Sequence, residues 1–235
     1  MRLRLQQVQW LFLDPSVLLN ENETQREMRH NLRLALARRG RTVDQEAVER
    51  AWMQSITSPR PVHPLAGTAE LLAPDTATAA AVVSEVIRTT KSVDTLYPGV
   101  QLALHTLEKA FKLGIIGAYR LPGVRSQLNR YHLHFPIVAL GDELNLSNKL
   151  EIGTRPDPAL FVWALRKAGC PASQAAFASD RVDLGLAPAK MAGMTTIWLR
   201  QTNHKLRHPR NSLETPDLTF NQLADLARYV EEGLS

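Results

Sequence analysis

Residues 175–199 read Ala175-Ala176-Phe177-Ala178-Ser179-Asp180-Arg181-Val182-Asp183-Leu184-Gly185-Leu186-Ala187-Pro188-Ala189-Lys190-Met191-Ala192-Gly193-Met194-Thr195-Thr196-Ile197-Trp198-Leu199. Two short apolar runs, Ala175 to Ser179 and Thr195 to Leu199, flank a helical stretch from Pro188 to Met191. Apolar runs of this length bounded by polar turns read as buried strands. A strand, a helix and a second strand in succession predict a parallel crossover. Asp180 stands at the carboxyl end of the first strand, where open α/β sheets place their ligands.

The same alternation continues upstream. Asp157-Pro158 opens a helix with an N-cap and a first-turn proline. Phe161, Leu165 and Ala168 line its buried face and Gly169 ends it. Before it come a strand at Pro136 to Leu140, a helix at Val124 to Tyr131 and a strand at Leu113 to Gly117. A helix at Val100 to Phe111 precedes these, with Leu104, Leu107 and Phe111 on one face. The run Val8 to Leu13 is a strand closed by Asp14-Pro15-Ser16. Downstream, 201–215 reads as a long polar loop and Leu223 to Glu232 as a closing helix. The fold expected is α/β, a Rossmann-like doubly wound parallel sheet. Asp14, Gly117 and Asp180 each end a strand, so three loops are expected to meet at one crevice.

Residues 20–95 interrupt this pattern with helices and no convincing strand. Met28, Leu32 and Leu36 fall four apart within a helix over 22–39, stopped by Gly40. Asp44 caps a helix carrying Ala47, Val48, Ala51 and Trp52. A proline-rich loop over 58–64 follows, then a short helix from Ala69 to Leu72 and a helix from Thr76 to Thr90. The expected division is a core of residues 1–19 and 96–235, with 20–95 as an inserted helical cap.

The chain has 235 residues, 44% hydrophobic and 22% charged, which fits a folded globular protein rather than a disordered one. Its single cysteine, Cys170, excludes an intrachain disulfide and a cysteine zinc site. No apolar run reaches the roughly 20 residues of a membrane helix, and Trp10 to Leu13 is too short for a signal segment. A cytoplasmic protein is expected. The net charge of +5 permits contact with anions, and Lys205-Leu206-Arg207-His208-Pro209-Arg210 is a basic run suited to a phosphate backbone. No aromatic interleaving or nucleic-acid motif accompanies it.

Four segments resemble the haloacid dehalogenase-like (HAD) superfamily. They are the strand ending in Asp14, Leu96-Tyr97-Pro98-Gly99-Val100 leading to the strand Leu113–Gly117, Ile152 to Phe161 around Arg155-Pro156-Asp157-Pro158, and Phe177 to Asp180 with Ala189 to Trp198. The resemblance implies a helical cap over the crevice. It also implies an aspartate nucleophile, a second aspartate as acid/base, a hydroxyl at the second motif, a lysine at the third, and two carboxylates for Mg²⁺ at the fourth.

Against that pattern, Asp14 stands at the nucleophile and Ser16 at the acid/base position. A second register puts Phe12 at the nucleophile and Asp14 at the acid/base. Asp14 also suits a plain cap of the strand–loop junction. The second motif has Gly117-Ala118, whose backbone N–H groups alone could cradle an anion. Arg155 keeps the third motif's charge and forks to carboxylate or phosphate. In the fourth motif Asp180 is present, Gly185 stands five residues on, and Asp183 between them is the remaining candidate ligand. Arg181 beside Asp180 puts a fixed cation where a divalent ion would sit.

These replacements predict a pseudo-hydrolase that binds a protein partner or a small-molecule anion, with no cofactor. The alternative is an active phosphatase or haloacid dehalogenase using Asp14 and Arg155, with Mg²⁺ at Asp14, Asp180 and Asp183 in the phosphatase case. Ser16, Gly117, Ala118 and Arg155 are the candidate ligand-binding residues. Nucleic-acid binding through Lys205 to Arg210 is the third expectation.

Overall fold

The computed structural model describes residues 5–58, 60, 62–91, 93–117, 123–141, 144, 158–201 and 208–234. The chain opens with β1 (Trp10–Leu13) and a single 3₁₀ turn (Pro15–Val17), then β2 (Leu19–Asn20). Four helices follow: α1 (Asn22–Ala37), α2 (Gln45–Thr57), α3 (Pro64–Leu72) and α4 (Thr76–Thr89). The chain returns through β3 (Thr95–Leu96), α5 (Val100–Glu108), β4 (Lys112–Gly117), α6 (Val124–Arg130) and β5 (Val138–Leu140). It ends with α7 (Ala159–Ala168), β6 (Ala175–Ser179), a π-helical turn (Val182–Leu186), α8 (Ala187–Met191), β7 (Thr195–Leu199), β8 (Leu218–Phe220) and α9 (Leu223–Leu234).

Six strands form one parallel sheet in the order β5-β4-β1-β6-β7-β8. Strand alternation sends Leu11 and Leu13 to one face, where α5, α6 and α9 cover them. Trp10 and Phe12 face the other side, under α7 and α8. The sheet is thus wound on both faces. Fully burying an aromatic ring such as Phe12 or Phe177 contributes about 1.5–3 kcal/mol. Gly114 makes room for Phe12, since a Cβ there would lie 2.6 Å from the ring. Phe161 meets Phe177 edge-on at 5.0 Å between centroids, a favoured aromatic geometry.

The four helices between β2 and β3 have a hydrophobic core of their own, built from Met28, Leu32, Leu36, Trp52, Ile56 and Val82 with their neighbours. Asp44 and Asp75 cap α2 and α4 through the backbone N–H groups of Ala47 and Thr78.

The structure departs from the sequence pattern in three places. First, Leu19–Asn20 and Thr95–Leu96 pair as an antiparallel ribbon at the base of the helical insert, where the pattern gives no strand. Two residues are too few to display a period. Second, α3 begins at Pro64 rather than Ala69, because proline suits a first helical turn and His63 Nδ1 accepts from Leu65 N–H. Third, β8 lies beyond the predicted 201–215 loop and pairs with β7. The expected capping role of Asp157 lies outside the described residues.

Candidate functional site

The strand order reverses about β1, so β1 and β6 end at a topological switch point. Asp14 and Asp180 meet there. Asp14 leaves β1 with its backbone N–H bonded to Ala178 O at 2.9 Å, and its carboxylate caps the following 3₁₀ turn. Oδ1 of Asp14 accepts from Ser16 N–H at 3.1 Å and Oδ2 accepts from Ser179 Oγ–H at 3.1 Å. The Ser16 hydroxyl lies 2.9 Å from Asp14 Oδ1 and 2.6 Å from Asp180 Oδ1. One hydroxyl carries one proton, so it donates to one carboxylate at a time. Phe12 is fully buried among apolar side chains on the face under α7, and Asp14 is fully buried at the strand's end.

The electrostatics follow from this crowding. Burial, then the nearby Asp180 charge, raise the Asp14 carboxyl from 3.8 to about 7, against the lowering effect of the Ser16 and Ser179 bonds. Glu21, just after β2, is pushed well above its ordinary value by burial and by Asp94, Asp180 and Asp14. Its Oε1 is buried without a hydrogen-bond partner among the described residues. The Tyr97 phenol is raised by burial and by Asp180, Glu21 and Asp94. Asp94 is held by the Thr24 hydroxyl, and Tyr131 donates to its backbone oxygen at 2.9 Å.

Arg181 is fully buried and turns toward Asp183. Its Nε and Nη2 donate to the two Asp183 oxygens, each at 2.9 Å, and Nη2 also donates to Val62 O at 3.2 Å. The π-helical turn packs tightly enough that a Cβ on Gly185 would overlap Ser179 Oγ. At the end of β4, a Cβ on Gly117 would lie 3.0 Å from Leu140 Cδ2 and 3.3 Å from Pro15 Cγ. Arg155, Ala118, Lys205 and Arg207 lie outside the described residues. Arg210 forks onto Glu214 at 3.1 and 2.8 Å.

Sequence reasoning singled out Asp14, Ser16, Asp180 and Asp183, and the structure brings the first three together. It missed Glu21, Asp94 and Ser179. Their only sequence signal was position: Glu21 and Asp94 flank the insert next to the β2–β3 ribbon, and Ser179 precedes Asp180.

The residues present do not fit a Mg²⁺ ion, which takes near-ideal octahedral oxygen ligands. Both Asp14 oxygens already accept internal bonds, Asp183 is forked by Arg181, and position 185 has no room for a side chain. Among the described residues no group of three His, Cys, Asp or Glu is placed to hold a metal.

No family model matches the chain. A glyceraldehyde 3-phosphate phosphatase of Methanopyrus kandleri is 29% identical over 139 residues. That match spans 58% of this chain and 57% of the relative's length. The structure is similar to a 2-haloacid dehalogenase from Pseudomonas syringae pv. Tomato DC3000, with TM-score 0.58 and 21% identity over 96% of this chain and 99% of that one. It is also similar to the HAD-hydrolase YfnB of Bacillus subtilis, bound to magnesium, with TM-score 0.64 and 13% identity over 95% and 98% of the two chains. The chain carries the haloacid dehalogenase-like fold: a Rossmann-like α/β core around the Asp14–Asp180 corner. Among the described residues no helix is long and apolar enough to cross a membrane.

Proposed function

We propose that this protein is a HAD-fold pseudo-hydrolase that acts by binding a ligand or a protein partner at its crevice. One observation carries the reading. Asp14, the residue at the nucleophile's position, is fully buried, with both carboxylate oxygens accepting bonds from Ser16 and Ser179. A carboxylate nucleophile needs an ionised, unencumbered oxygen aimed at the substrate. Here the corner favours a protonated or internally bonded one. Ser16 carries no carboxyl with which to protonate a leaving group.

The test is turnover by the full chain on phosphomonoesters, glyceraldehyde 3-phosphate among them, and on 2-haloacids, each with and without Mg²⁺. The expected result is no activity above that of Asp14→Asn. Turnover that Asp14→Asn abolishes would remove this reading.

The second reading is an active hydrolase with Asp14 as nucleophile and Arg155 as charge anchor. The likeness to an archaeal phosphatase favours it. The same assay decides between the two.

A small-molecule anion or a protein is the proposed ligand class. For nucleic acid, the commitment of Arg210 to Glu214 weighs against the basic run.

A further inference from the structure

We infer that the corner of Asp14, Ser16, Ser179, Asp180, Arg181 and Asp183 is a built-in substitute for a magnesium site, and that Arg181 also fastens the helical insert to the core. A divalent ion between loops does two things. It neutralises carboxylates that burial would otherwise penalise, and it ties the loops together. This corner does both with protein groups.

Neutralisation comes from one guanidinium and a set of oriented donors. Arg181 matches Asp183 with a two-bond fork, the strongest geometry for an arginine–carboxylate pair. The Ser16 hydroxyl stands between Asp14 and Asp180, and the Ser179 hydroxyl satisfies the far oxygen of Asp14. Ser179 is held in turn, because its Oγ accepts from Arg181 N–H at 3.1 Å. That same oxygen stands where any side chain on residue 185 would begin. The hydroxyl and a carboxylate at 185 therefore exclude one another sterically.

Tying comes from a further Arg181 bond. Nη2 reaches Val62 O, in the segment that leads into α3, 119 residues away in sequence. Arg181 also opens the π-helical turn, where its backbone oxygen accepts from both Gly185 N–H at 3.1 Å and Leu186 N–H at 2.9 Å. π turns of this kind recur at functional sites. The insert is thus held by a fixed side chain rather than by an exchangeable ion.

The inference rests on the same crevice as the proposed function but fails separately. Metal-independent turnover would remove the pseudo-hydrolase reading and leave this one intact.

The experiment is a titration of the full chain with Mg²⁺ by calorimetry and with Mn²⁺ by electron spin resonance, repeated on Asp14→Asn, together with hydrogen exchange of Arg181→Ser. The wild type is expected to show no saturable site up to about 10 mM metal and no rise in melting temperature, since a ligand stabilises only what it binds. Binding that Asp14→Asn leaves unchanged lies elsewhere and agrees with the inference. Saturable binding that Asp14→Asn weakens by on the order of tenfold or more overturns it. Arg181→Ser loses the bond to Val62 O and is expected to show faster exchange in α3 than the wild type. A folded Arg181→Ser with unchanged exchange in α3 overturns the fastening role, and if that variant does not fold, the wild-type titration decides.

Discussion

The hydroxyl of Ser16 bonds Asp180 Oδ1 at 2.6 Å, joining residues 164 positions apart. It links the loop after β1 to the loop after β6 at the point where the sheet's order reverses. The same oxygen is 2.9 Å from Asp14. Two buried carboxyls and one hydroxyl therefore form a chain of hydrogen bonds, and a proton shared along it relieves the repulsion between the two acids.

Stability is expected to fall as pH rises through the range in which Asp14 titrates. Its folded pKa of about 7 lies above the ordinary 3.8, so between those values the folded state holds a proton that the unfolded state has released. The stabilisation is full below the unfolded value and is lost as pH climbs through the folded one, with a slope of at most about 1.4 kcal/mol per pH unit for one proton. Urea denaturation across this range checks it. Asp14→Asn should flatten the slope, and an unchanged slope would mean that another group titrates.

Gly185→Asp is expected to destabilise the protein rather than supply a metal carboxylate. The new Cβ overlaps Ser179 Oγ, and overpacking of this kind typically costs about 1–3 kcal/mol. Ser179→Gly removes the obstruction, so the double variant should cost less than the sum of the two singles. Additive costs would show that the clash is not the cause.

Much of this site is legible in the sequence, because its parts are strand ends. Ala175–Ser179 and Thr195–Leu199 are apolar runs with sharp polar borders, and the strands occupy those bounds. From them follows the meeting of Asp14 with Asp180. The direction of Arg181 is not legible. Adjacency suggests a cation facing Asp180, whereas the side chain bonds Asp183 and Val62 O in the insert. Glu21 is hidden for a different reason. An acid at the start of a helix reads as an ordinary complement to the helix dipole, and only the fold brings it beside Asp94 and Asp180. The two-residue ribbon β2–β3 exists through tertiary pairing and leaves no periodic trace.

The Arg181–Asp183 pair predicts a large coupling. Both side chains are 1% exposed, so removing one partner strands a buried charge at a cost of about 3–5 kcal/mol. Arg181→Met with Asp183→Leu removes both charges and should cost distinctly less than either single change. A double-mutant cycle by chemical denaturation measures this. The remaining loss in the double variant includes the bond to Val62 O. Hydrogen exchange in α3 should then rise selectively, because that helix begins just beyond Val62.

Glu21→Gln is expected to stabilise the protein, and increasingly so as pH rises. Glutamine keeps the shape but cannot ionise. Burial and the neighbouring carboxylates of Asp94, Asp180 and Asp14 hold the Glu21 carboxyl well above its ordinary range. In acid the side chain is neutral in both folded and unfolded states, so the substitution changes little. At higher pH the unfolded chain ionises Glu21 freely while the folded chain must either keep the proton or bury a charge, and the wild type loses stability that the variant retains. Denaturation of the two proteins at about pH 5 and about pH 8 tests the sign. A variant less stable than wild type at both would show that Glu21 makes a bond that glutamine cannot, and would sink the account of Glu21 as a half-buried acid crowded by like charges.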